Sequence, residues 1–378
     1  MFVSPVPLND LKRTFGRREA ELKAVAADVL ASGWWLNGRE LDRFCEAFAR
    51  YVGAERCIGV ANGTDALELA LRALQRVRRP GAQEVVTVAN AGGYSTTACR
   101  QIGLVPVYAD IVEETQLANI DSLVSCVGDD TLAVVATHLY GGAIDVPALR
   151  DALAAAGHAD VPILEDCAEA HGARVGGPPA PVVGSQGDVA AFSFYPTKNL
   201  GAFGDGGAVL TSDAEIAAAV SALRQYGWGR KYEVVAAGGR NSRLDEIQAA
   251  LLHVMLPTLD EANARRRHVL ARYVGAAPAG VHVVDAGEGS VAHLAILLLD
   301  DRDGLRAHLS ERGIAADIHF PILDCDQPAW SDLPHRIAPG GIPVSRRSVG
   351  RLLTLPCFPE MRADEIDRVC DALATWRG

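Results

Sequence analysis

The sequence predicts an α/β fold, with a large domain built on a mostly parallel central sheet and a smaller C-terminal α+β domain. In the first 243 residues, segments with helical periodicity alternate with short β-branched runs, a pattern typical of a parallel sheet covered by helices. After about residue 243, a long helical stretch precedes two strands and three helices. The predicted domains are therefore residues 1–243, which include an N-terminal arm, and residues 244–378, which begin with a connecting helix.

The elements of the larger domain follow from periodicity and from glycine and proline punctuation. Helices are expected over 19–30, 40–51, 64–74, 96–101 and 147–156. Strands are expected over 57–60, 85–88, 105–108, 132–136, 162–165 and 189–194. Ligand-bearing loops of such folds follow the carboxyl ends of the strands, so candidate site residues are sought there.

The smaller domain is expected to open with one long helix over 244–273, stopped by Pro278 and Gly280. Strands over 281–284 and 292–299 come next, and helices over 303–312, 344–352 and 364–376 complete the chain.

Composition limits the classes of function. The 378 residues carry 36 basic and 47 acidic side chains, a net charge of −11, so a nucleic-acid or acidic-membrane binder with a basic stripe is not expected. The eight cysteines form no C-x-x-C pair, and we expect them to be buried apolar residues, with no metal site. The N-terminus lacks a signal-peptide pattern, and no apolar run approaches the roughly 20 residues of a membrane-spanning helix. A soluble, cytoplasmic protein is therefore expected.

Lys198, one of only four lysines, directly follows the predicted strand 189–194 in a glycine-rich turn. Aromatic and glycine neighbours would desolvate this lysine and favour the neutral amine that a Schiff-base nucleophile needs. Taken alone, it would be interpreted as a solvated loop lysine, because loop residues are commonly solvated.

Two other segments change that balance. Asp166 follows the hydrophobic run 161–164, where a carboxylate can pair with a protonated pyridine nitrogen or simply cap a helix. Gly63 and Thr64 lie where a strand turns into a helix, which is a natural anion site or an ordinary helix cap. Together the three segments supply what pyridoxal phosphate (PLP) requires: a phosphate cradle, a carboxylate for the ring nitrogen and a lysine.

With these segments in order, the chain resembles the DegT/DnrJ/EryC1/StrS family of PLP-dependent sugar aminotransferases. The resemblance covers nearly the whole length and implies an aspartate-aminotransferase-like fold of type I. It is carried by Asn-Gly-Thr-Asp-Ala-Leu (62–67), Glu-Asp-Cys-Ala-Glu-Ala-His-Gly-Ala (165–173), Ser-Phe-Tyr-Pro-Thr-Lys-Asn-Leu-Gly (193–201), Gly-Arg-Asn-Ser-Arg-Leu-Asp-Glu-Ile-Gln-Ala-Ala (239–250), Ile-His-Phe-Pro (318–321) and Leu-Thr-Leu-Pro (353–356).

The resemblance implies roles for individual residues. Lys198 would hold the cofactor as a Schiff base and, once displaced by an amino donor, shuttle a proton, so that the cofactor alternates between PLP and its pyridoxamine form, PMP. Asp166 would pair with the pyridine nitrogen. Because family active sites are built across a homodimer, one cofactor contact would come from the partner subunit. The further implied cofactor contacts are Gly63, Thr64, Tyr94, stacked on the ring, Ser193 and, from the partner, Asn241.

Residue 169 departs from the family pattern. The family usually has glutamine three residues after the aspartate, near the cofactor's 3′ oxygen, whereas this chain has Glu169. A carboxyl group there would either be protonated or repel the phenolate. Glu169 is expected at the cofactor, with its protonation left open.

Nucleotide-sugar substrates carry a diphosphate, and the stretch 224–243 concentrates positive charge against one acid, Glu233. The resemblance favours substrate contacts by Lys231, Tyr232 and Arg243, with Tyr195 and His319 nearer the sugar. The string at 195–207 resembles members that aminate carbon 3 of a keto-sugar. A dTDP-3-keto-6-deoxyhexose with L-glutamate as amino donor is therefore the expected substrate pair.

Other functions remain open from the sequence. Amination of a keto-cyclitol or of carbon 4 of a keto-sugar fits the same family, as does a non-catalytic regulatory relative. The dehydratase branch has histidine in place of the lysine, so Lys198 argues against it. A nicotinamide-dependent oxidoreductase is disfavoured because residues 201–207 lack the G-x-G-x-x-G order.

Overall fold

The computed structural model of the chain describes residues 4–377, which form a large mixed sheet covered by helices and a smaller three-stranded sheet. The strands are β1 (Arg56–Val60), β2 (Glu84–Val88), β3 (Val105–Ala109), β4 (Thr131–Thr137), β5 (Ile163–Asp166), β6 (Val189–Ser193), β7 (Gly207–Thr211), β8 (Trp228–Arg230), β9 (Glu233–Val234), β10 (His282–Val283), β11 (Ala295–Leu298), β12 (Arg336–Ile337) and β13 (Leu352–Leu355). The α-helices are α1 (Leu11–Gly16), α2 (Glu19–Ser32), α3 (Arg39–Val52), α4 (Gly63–Val77), α5 (Tyr94–Gln101), α6 (Ile120–Cys126), α7 (Val146–Ala155), α8 (Ala214–Leu223), α9 (Glu246–Met255), α10 (Leu259–Ala276), α11 (Arg302–Glu311), α12 (Pro343–Val349) and α13 (Ala363–Thr375).

The large sheet has the order β1-β7-β6-β5-β4-β2-β3-β12. The six neighbouring strands β6, β5, β4, β2, β3 and β12 are all parallel to one another. Strand β7 runs antiparallel to both of its neighbours, β1 and β6. The predicted mostly parallel α/β sheet is thus confirmed. Strands such as β4 are buried along their whole length, since helices cover both faces of the sheet.

Helix α4 fixes one wall of the later site. Its side chains Leu69, Ala70 and Leu74 are fully buried, and the helix packs on β6 and β7. This packing brings the helix N-terminus at Gly63 against Ser193, the last residue of β6. The phosphate-cradle motif and the lysine-bearing segment, far apart in the chain, therefore meet at the carboxyl edge of the sheet.

The second part of the chain contains the antiparallel sheet β10-β11-β13, which packs with α10 and α13 around a separate apolar cluster. Strand β12, although it belongs to this second part, adds to the edge of the large sheet beside β3. The division at residues 243 and 244 stays a prediction.

Two element predictions were wrong. The expected helix over 244–273 is divided into α9 and α10 by a 3₁₀ turn at Leu256–Thr258, because Pro257 lacks the N–H that a continuous helix requires. The helix expected over 344–352 ends at Val349, and residues 352–355 form β13, paired with β11. The other predicted elements are present, with ends within three residues. Within residues 4–377, no helix is both long enough and apolar enough to cross a membrane.

Candidate active site

A cavity of about 670 Å³ opens at the carboxyl edge of the large sheet. Eight of the residues singled out from the sequence line it: Gly63, Thr64, Tyr94, Glu169, Ser193, Tyr195, Lys198 and His319. A second cavity of about 740 Å³ lies on the other side of the lysine turn, against the N-terminal arm. It contains fewer of the candidate residues, so the first cavity is the candidate site.

Lys198 lies in the turn that follows β6, where its backbone N–H donates to the Tyr195 carbonyl at 2.8 Å. Its side chain is 13% exposed, and Nζ donates to Glu169 Oε1 at 3.0 Å. The amine is thus held inside the cavity beside a carboxylate.

Asp166 ends β5, next to β6, and is nearly fully buried. Ser95 Oγ donates to its Oδ2 at 3.3 Å, and the Ala168 N–H donates to its Oδ1 at 3.1 Å. Burial raises the pKa of Asp166, while the Ala168 N–H and the charge of Lys198 act against that rise. A buried carboxylate in this place favours a cationic partner, as a protonated pyridine nitrogen would be.

The N-terminus of α4 is built to receive an anion. A Cβ atom on Gly63 would lie 2.5 Å from Ser193 Cβ, so only glycine allows the helix this close to β6. Asn62 Oδ1 accepts the Asp65 N–H at 2.8 Å, but the N–H groups of Gly63 and Thr64 have no acceptor within residues 4–377. Free N–H groups at a helix N-terminus suit a phosphate, so these residues fit the cofactor that the sequence implied.

Glu169 faces three groups. Its Oε1 accepts from Lys198 and lies 3.6 Å from His293 Nε2, while its Oε2 accepts the backbone N–H of Tyr140 at 2.9 Å. Glu169 therefore lines the cavity and contacts the amine itself, while its contact with the cofactor stays a prediction.

The cavity is closed on one side by residues of the second part of the chain. Tyr94, half exposed, meets the Phe320 ring edge-on with ring centroids 6.0 Å apart. His319 Nδ1 lies 3.0 Å from Thr354 Oγ1, and the Tyr140 hydroxyl donates to the His319 carbonyl. An aromatic wall and a fixed imidazole thus border the space beside Lys198.

Five predicted residues are not among those that line this cavity: Asp166, which is nearly fully buried at the end of β5, and Lys231, Tyr232, Asn241 and Arg243. Lys231 and Tyr232 occupy the turn of the β8–β9 hairpin, where Tyr232 is 78% exposed and the Lys231 ammonium lies over its ring. Asn241 is exposed and Arg243 half-buried, in the segment before α9. The roles of these last four residues stay predictions that require a partner subunit or a bound substrate.

Two residues of the site were missed from the sequence: His293, which lines the cavity, and Tyr140, whose backbone N–H donates to Glu169. Arg240, which also lines the cavity, belongs to the basic stretch 224–243 that was predicted to bind the diphosphate. The available signal was a lone polar residue inside an apolar run, as His293 between Ala292 and Leu294, but that pattern is also typical of an ordinary core histidine.

His138, Glu165 and Cys167 form a buried cluster with metal-ligand chemistry. Glu165 accepts hydrogen bonds from His138 Nε2 and from the backbone N–H groups of residues 184, 186 and 187, and His138 Nδ1 accepts the Ile144 N–H. Burial raises the pKa of Glu165, but the hydrogen bonds from His138 and from the Gly187 and Gly184 N–H groups outweigh it and lower the pKa. The cluster therefore ties a loop to β5, and its nitrogen and oxygen atoms have protein partners.

This fold and site are those of an enzyme of the aminotransferase class. The chain belongs to the DegT/DnrJ/EryC1/StrS aminotransferase family, whose model matches residues 17–374.

Curated relatives cover almost all of the chain. A dTDP-3-amino-3,4,6-trideoxy-alpha-D-glucose transaminase of Micromonospora megalomicea subsp. nigra is 38% identical over 367 residues, 95% of each chain. The erythromycin biosynthesis sensory transduction protein EryC1 of Saccharopolyspora erythraea is 36% identical over 373 residues, 97% of this chain and 98% of that one.

Solved structures agree with the fold. S. venezuelae DesV in complex with a ketimine intermediate superposes with a TM-score of 0.91 at 36% identity, covering 99% of both chains. NtdA from Bacillus subtilis with bound cofactor PMP gives a TM-score of 0.87 at 25% identity, covering 99% of this chain and 85% of that one.

Proposed function

We propose that this aminotransferase moves an amino group from L-glutamate to carbon 3 of a keto nucleotide sugar, a dTDP-linked 3-keto-6-deoxyhexose, in amino-sugar biosynthesis. The observation that carries the proposal is Lys198 with its amine on Glu169, in a cavity bordered by an open helix N-terminus. The 3-amino-sugar transaminase that is 38% identical over 95% of the chain supports the substrate class.

The chain uses pyridoxal phosphate, which alternates with its pyridoxamine form. When bound, this cofactor supplies a ring that accepts electrons from the reacting carbon. The N–H groups of Gly63 and Thr64, with Ser193 beside them, would hold its phosphate. Asp166 would keep its ring nitrogen protonated, since a buried carboxylate next to a cation stabilises the charge of both.

Lys198 Nζ has two tasks in this proposal. It would hold the cofactor covalently and, once released, would move a proton at the reacting carbon. Its place in a tight turn after β6 holds the amine in the cavity that Tyr94 and Phe320 also line.

The substrate proposal divides between two regions. Tyr195 and His319 line the cavity and would contact the sugar. Lys231, Tyr232 and Arg243, outside the cavity, would bind the diphosphate and nucleotide. Support for the second group is the local excess of positive charge in a chain of net −11.

The active enzyme is proposed to be a homodimer with shared sites. Asn241 is exposed and outside the cavity of its own chain, which supports a contact with the cofactor phosphate of the partner. Exposed aromatic side chains accompany it on this part of the surface, with Trp34 at 66% and Trp35 at 58% exposure. Large exposed apolar side chains are typical of a surface that a second chain covers.

The proposed binding of PLP to Lys198 is tested by visible absorption spectroscopy. Protein incubated with PLP should gain a visible absorption band that borohydride bleaches, and Lys198→Ala should lose it. Lys23→Ala, which removes an exposed lysine paired with Glu19, is the matched control and should keep the band. A wild-type protein that stays colourless with added PLP would refute the enzyme assignment.

The substrate part is tested by turnover. We would run 3-amino and 4-amino nucleotide sugars and amino-cyclitols in the reverse direction with 2-oxoglutarate, and measure the L-glutamate formed. The highest kcat/KM is expected for a dTDP-3-amino-6-deoxyhexose. A higher value for a 4-amino sugar or a cyclitol would transfer the proposal to that substrate.

A regulatory function is the second candidate, because one relative, 36% identical, is named a sensory transduction protein. The intact Lys198, Glu169 and Asp166 favour catalysis. Adding L-glutamate should convert the visible band to that of the pyridoxamine form. A protein that binds PLP but shows no spectral change with L-glutamate or any other amino donor would favour the regulatory function.

A further inference from the structure

A chain of hydrogen bonds runs behind Glu169 into the protein. His293 Nε2 lies 3.6 Å from Glu169 Oε1, and His293 Nδ1 lies 2.9 Å from Asn199 Oδ1. Asn199 directly follows Lys198, so the turn that presents the amine also presents this amide to His293. Both Glu169 and His293 are buried.

The orientation of the Asn199 amide is determined by its other partners. Asn199 Nδ2 donates to Val291 O at 3.0 Å and to Asn263 Oδ1 at 2.8 Å. The Asn263 amide is itself oriented, because its Nδ2 donates to the His171 carbonyl at 2.8 Å. Only Asn199 Oδ1 is therefore left for His293, and an amide oxygen can only accept.

The tautomer of His293 follows from this. Its Nδ1 must carry the hydrogen that Asn199 Oδ1 accepts, so the neutral ring presents a bare lone pair at Nε2. That lone pair faces Glu169 Oε1. A carboxylate and a lone pair repel each other at this distance unless a proton lies between them.

The charged groups around Glu169 and His293 determine which of the two can take up a proton. Lys198 donates to Glu169, while Tyr140 and Asp166 are its other titratable neighbours, and Asp166 adds a second negative charge. Burial first, and then the charges of Lys198, Arg266, His171 and His319, lower the pKa of His293 well below its ordinary value. His293 is thus a neutral acceptor, and Lys198 is the basic side chain that pairs with Glu169 in the described part of the chain.

We propose that Asn199 and His293 are positioning residues that make Glu169 take up one proton from solvent when Lys198 no longer holds an ammonium beside it. The inference rests on the proposed function, because condensation of the Lys198 amine with the cofactor's aldehyde group would form a C=N bond, expel the aldehyde oxygen as water and release the ammonium proton to solvent, so that the positive charge beside Glu169 is lost. The protonated Glu169 Oε1 then donates to His293 Nε2, a contact that a small side-chain rotation shortens to hydrogen-bond length. Glu169 becomes neutral, as a glutamine is, and does not repel an anionic oxygen of the cofactor.

The first test needs no cofactor. Histidine-selective ¹⁵N labelling of the cofactor-free protein should show His293 as the neutral Nδ1–H tautomer near neutral pH, with the signal assigned by its loss in His293→Gln. An Nε2–H tautomer, or a charged imidazolium, would overturn the proposal.

The second test counts protons. Cofactor-free protein is mixed with PLP in weakly buffered solution containing a pH indicator. Wild type should take up about one proton per site more than Glu169→Gln, since only the carboxyl group needs one. Equal uptake by the two proteins would contradict the proposal.

The third test separates positioning from a structural role. In the wild-type background, His293→Gln should shift the pH midpoint of the cofactor's visible band, whereas in the Glu169→Gln background the same substitution should leave it unchanged. An equal shift in both backgrounds would show that His293 acts on the cofactor independently of Glu169. A wild-type protein that does not bind PLP would refute the proposed function. A wild-type protein that binds PLP but shows neither the extra proton uptake nor the Glu169-dependent shift of the pH midpoint would refute this inference alone.

Discussion

At the residue scale, Asp324 is a buried carboxyl group whose titration should be visible in the stability of the chain. Thr96 Oγ1 donates to its Oδ2 at 2.6 Å and also lies 3.1 Å from the Tyr108 hydroxyl. Burial raises the pKa of Asp324 to about 7, although hydrogen bonds from Thr96 and from the Gly93 N–H oppose the rise. The ordinary value is 3.8, so the folded chain keeps a proton that the unfolded chain releases.

The sign of the effect follows. Because the pKa of Asp324 is higher in the folded chain than in the unfolded chain, its protonation stabilises the fold. This contribution is fully present below about pH 4 and is lost as the pH rises through about 7. Asp324→Asn removes this dependence. The unfolding free energy of wild type minus that of the variant should therefore fall with pH, by up to about 1.4 kcal/mol per unit across that window. Urea unfolding at several pH values measures it.

The control for this prediction is Asp326→Asn, since Asp326 is half exposed and pairs with Arg346 on the surface. Its stability difference from wild type should not change across the same window. Parallel pH curves for wild type and Asp324→Asn would contradict the assigned pKa of Asp324.

Gly63 gives a second prediction at this scale. Gly63→Ala places a Cβ 2.5 Å from Ser193 Cβ, so the N-terminus of α4 must move away from β6 and carry its N–H groups with it. The affinity for PLP should fall at least about tenfold, which corresponds to about 1.4 kcal/mol. A spectroscopic titration with PLP measures the Kd.

Gly128→Ala is the matched control, because a Cβ there meets no atom within 4 Å. It should bind PLP as wild type does. If Gly63→Ala folds and keeps the wild-type affinity, the helix N-terminus is not the phosphate site.

The single residues of the site were predictable to different degrees. Lys198, Asp166 and Gly63 lie in local motifs after strands or before a helix, so the sequence alone singled them out. His293 was missed because its function depends on Glu169 and Asn199, which are distant from it in the chain. Nothing in the residues next to His293 encodes those contacts.

At the element scale, a side chain of helix α9 caps the N-terminus of helix α3. Glu246, in the first turn of α9, is buried and accepts three backbone N–H groups at the N-terminus of α3. Its Oε1 accepts from Gly38 at 2.8 Å and Leu41 at 3.0 Å, and its Oε2 accepts from Glu40 at 2.9 Å. Helix α3 has no side-chain cap of its own, so Glu246 replaces it.

Removing this carboxylate should be costly. Glu246→Ala leaves the N–H groups of Gly38, Glu40 and Leu41 without acceptors, and should lower the free energy of unfolding by about 2–4 kcal/mol. Urea denaturation measures the loss. Glu46→Ala, at a site 71% exposed in the middle of α3, is the control and should stay within about 0.5 kcal/mol of wild type. A small effect at Glu246 would show that water replaces the cap.

The element predictions failed where tertiary contacts or a single residue outweighed periodicity. The apolar pattern over 244–273 continues across Pro257, so periodicity predicted one helix where the structure has two, α9 and α10. Residues 352–355 have no alternation that marks an exposed strand, because β13 is buried on both sides and is defined by its pairing with β11.

At the scale of the whole molecule, the proposed shared site can be tested by mixing inactive variants. Lys198→Ala and Asn241→Ala would each be inactive or weak alone. In mixed dimers, one of the two sites then receives both Lys198 and Asn241 intact. Random exchange should restore about a quarter of the wild-type activity, because half of the dimers are mixed and each has one intact site.

The control pairs Lys198→Ala with Asp166→Ala. Asp166 ends β5 and Lys198 lies in the turn after the adjacent strand β6, so both belong to the same chain's proposed site and no mixed dimer has an intact one. No activity should return with this pair. Recovery with the control, or none with the Asn241 pair, would contradict the shared site.

The sequence by itself determined the fold class, the family and the single lysine of the site, because these depend on local motifs whose order along the chain is specific. Only the tertiary structure decided what surrounds that lysine. Packing of α4 on β6 brings Gly63 to Ser193, and the turn at Lys198 places Asn199 against His293 and Glu169 beside the amine. Hydrogen-bond direction and charge balance in a buried site depend on which distant groups meet, and the order of residues along the chain does not state this.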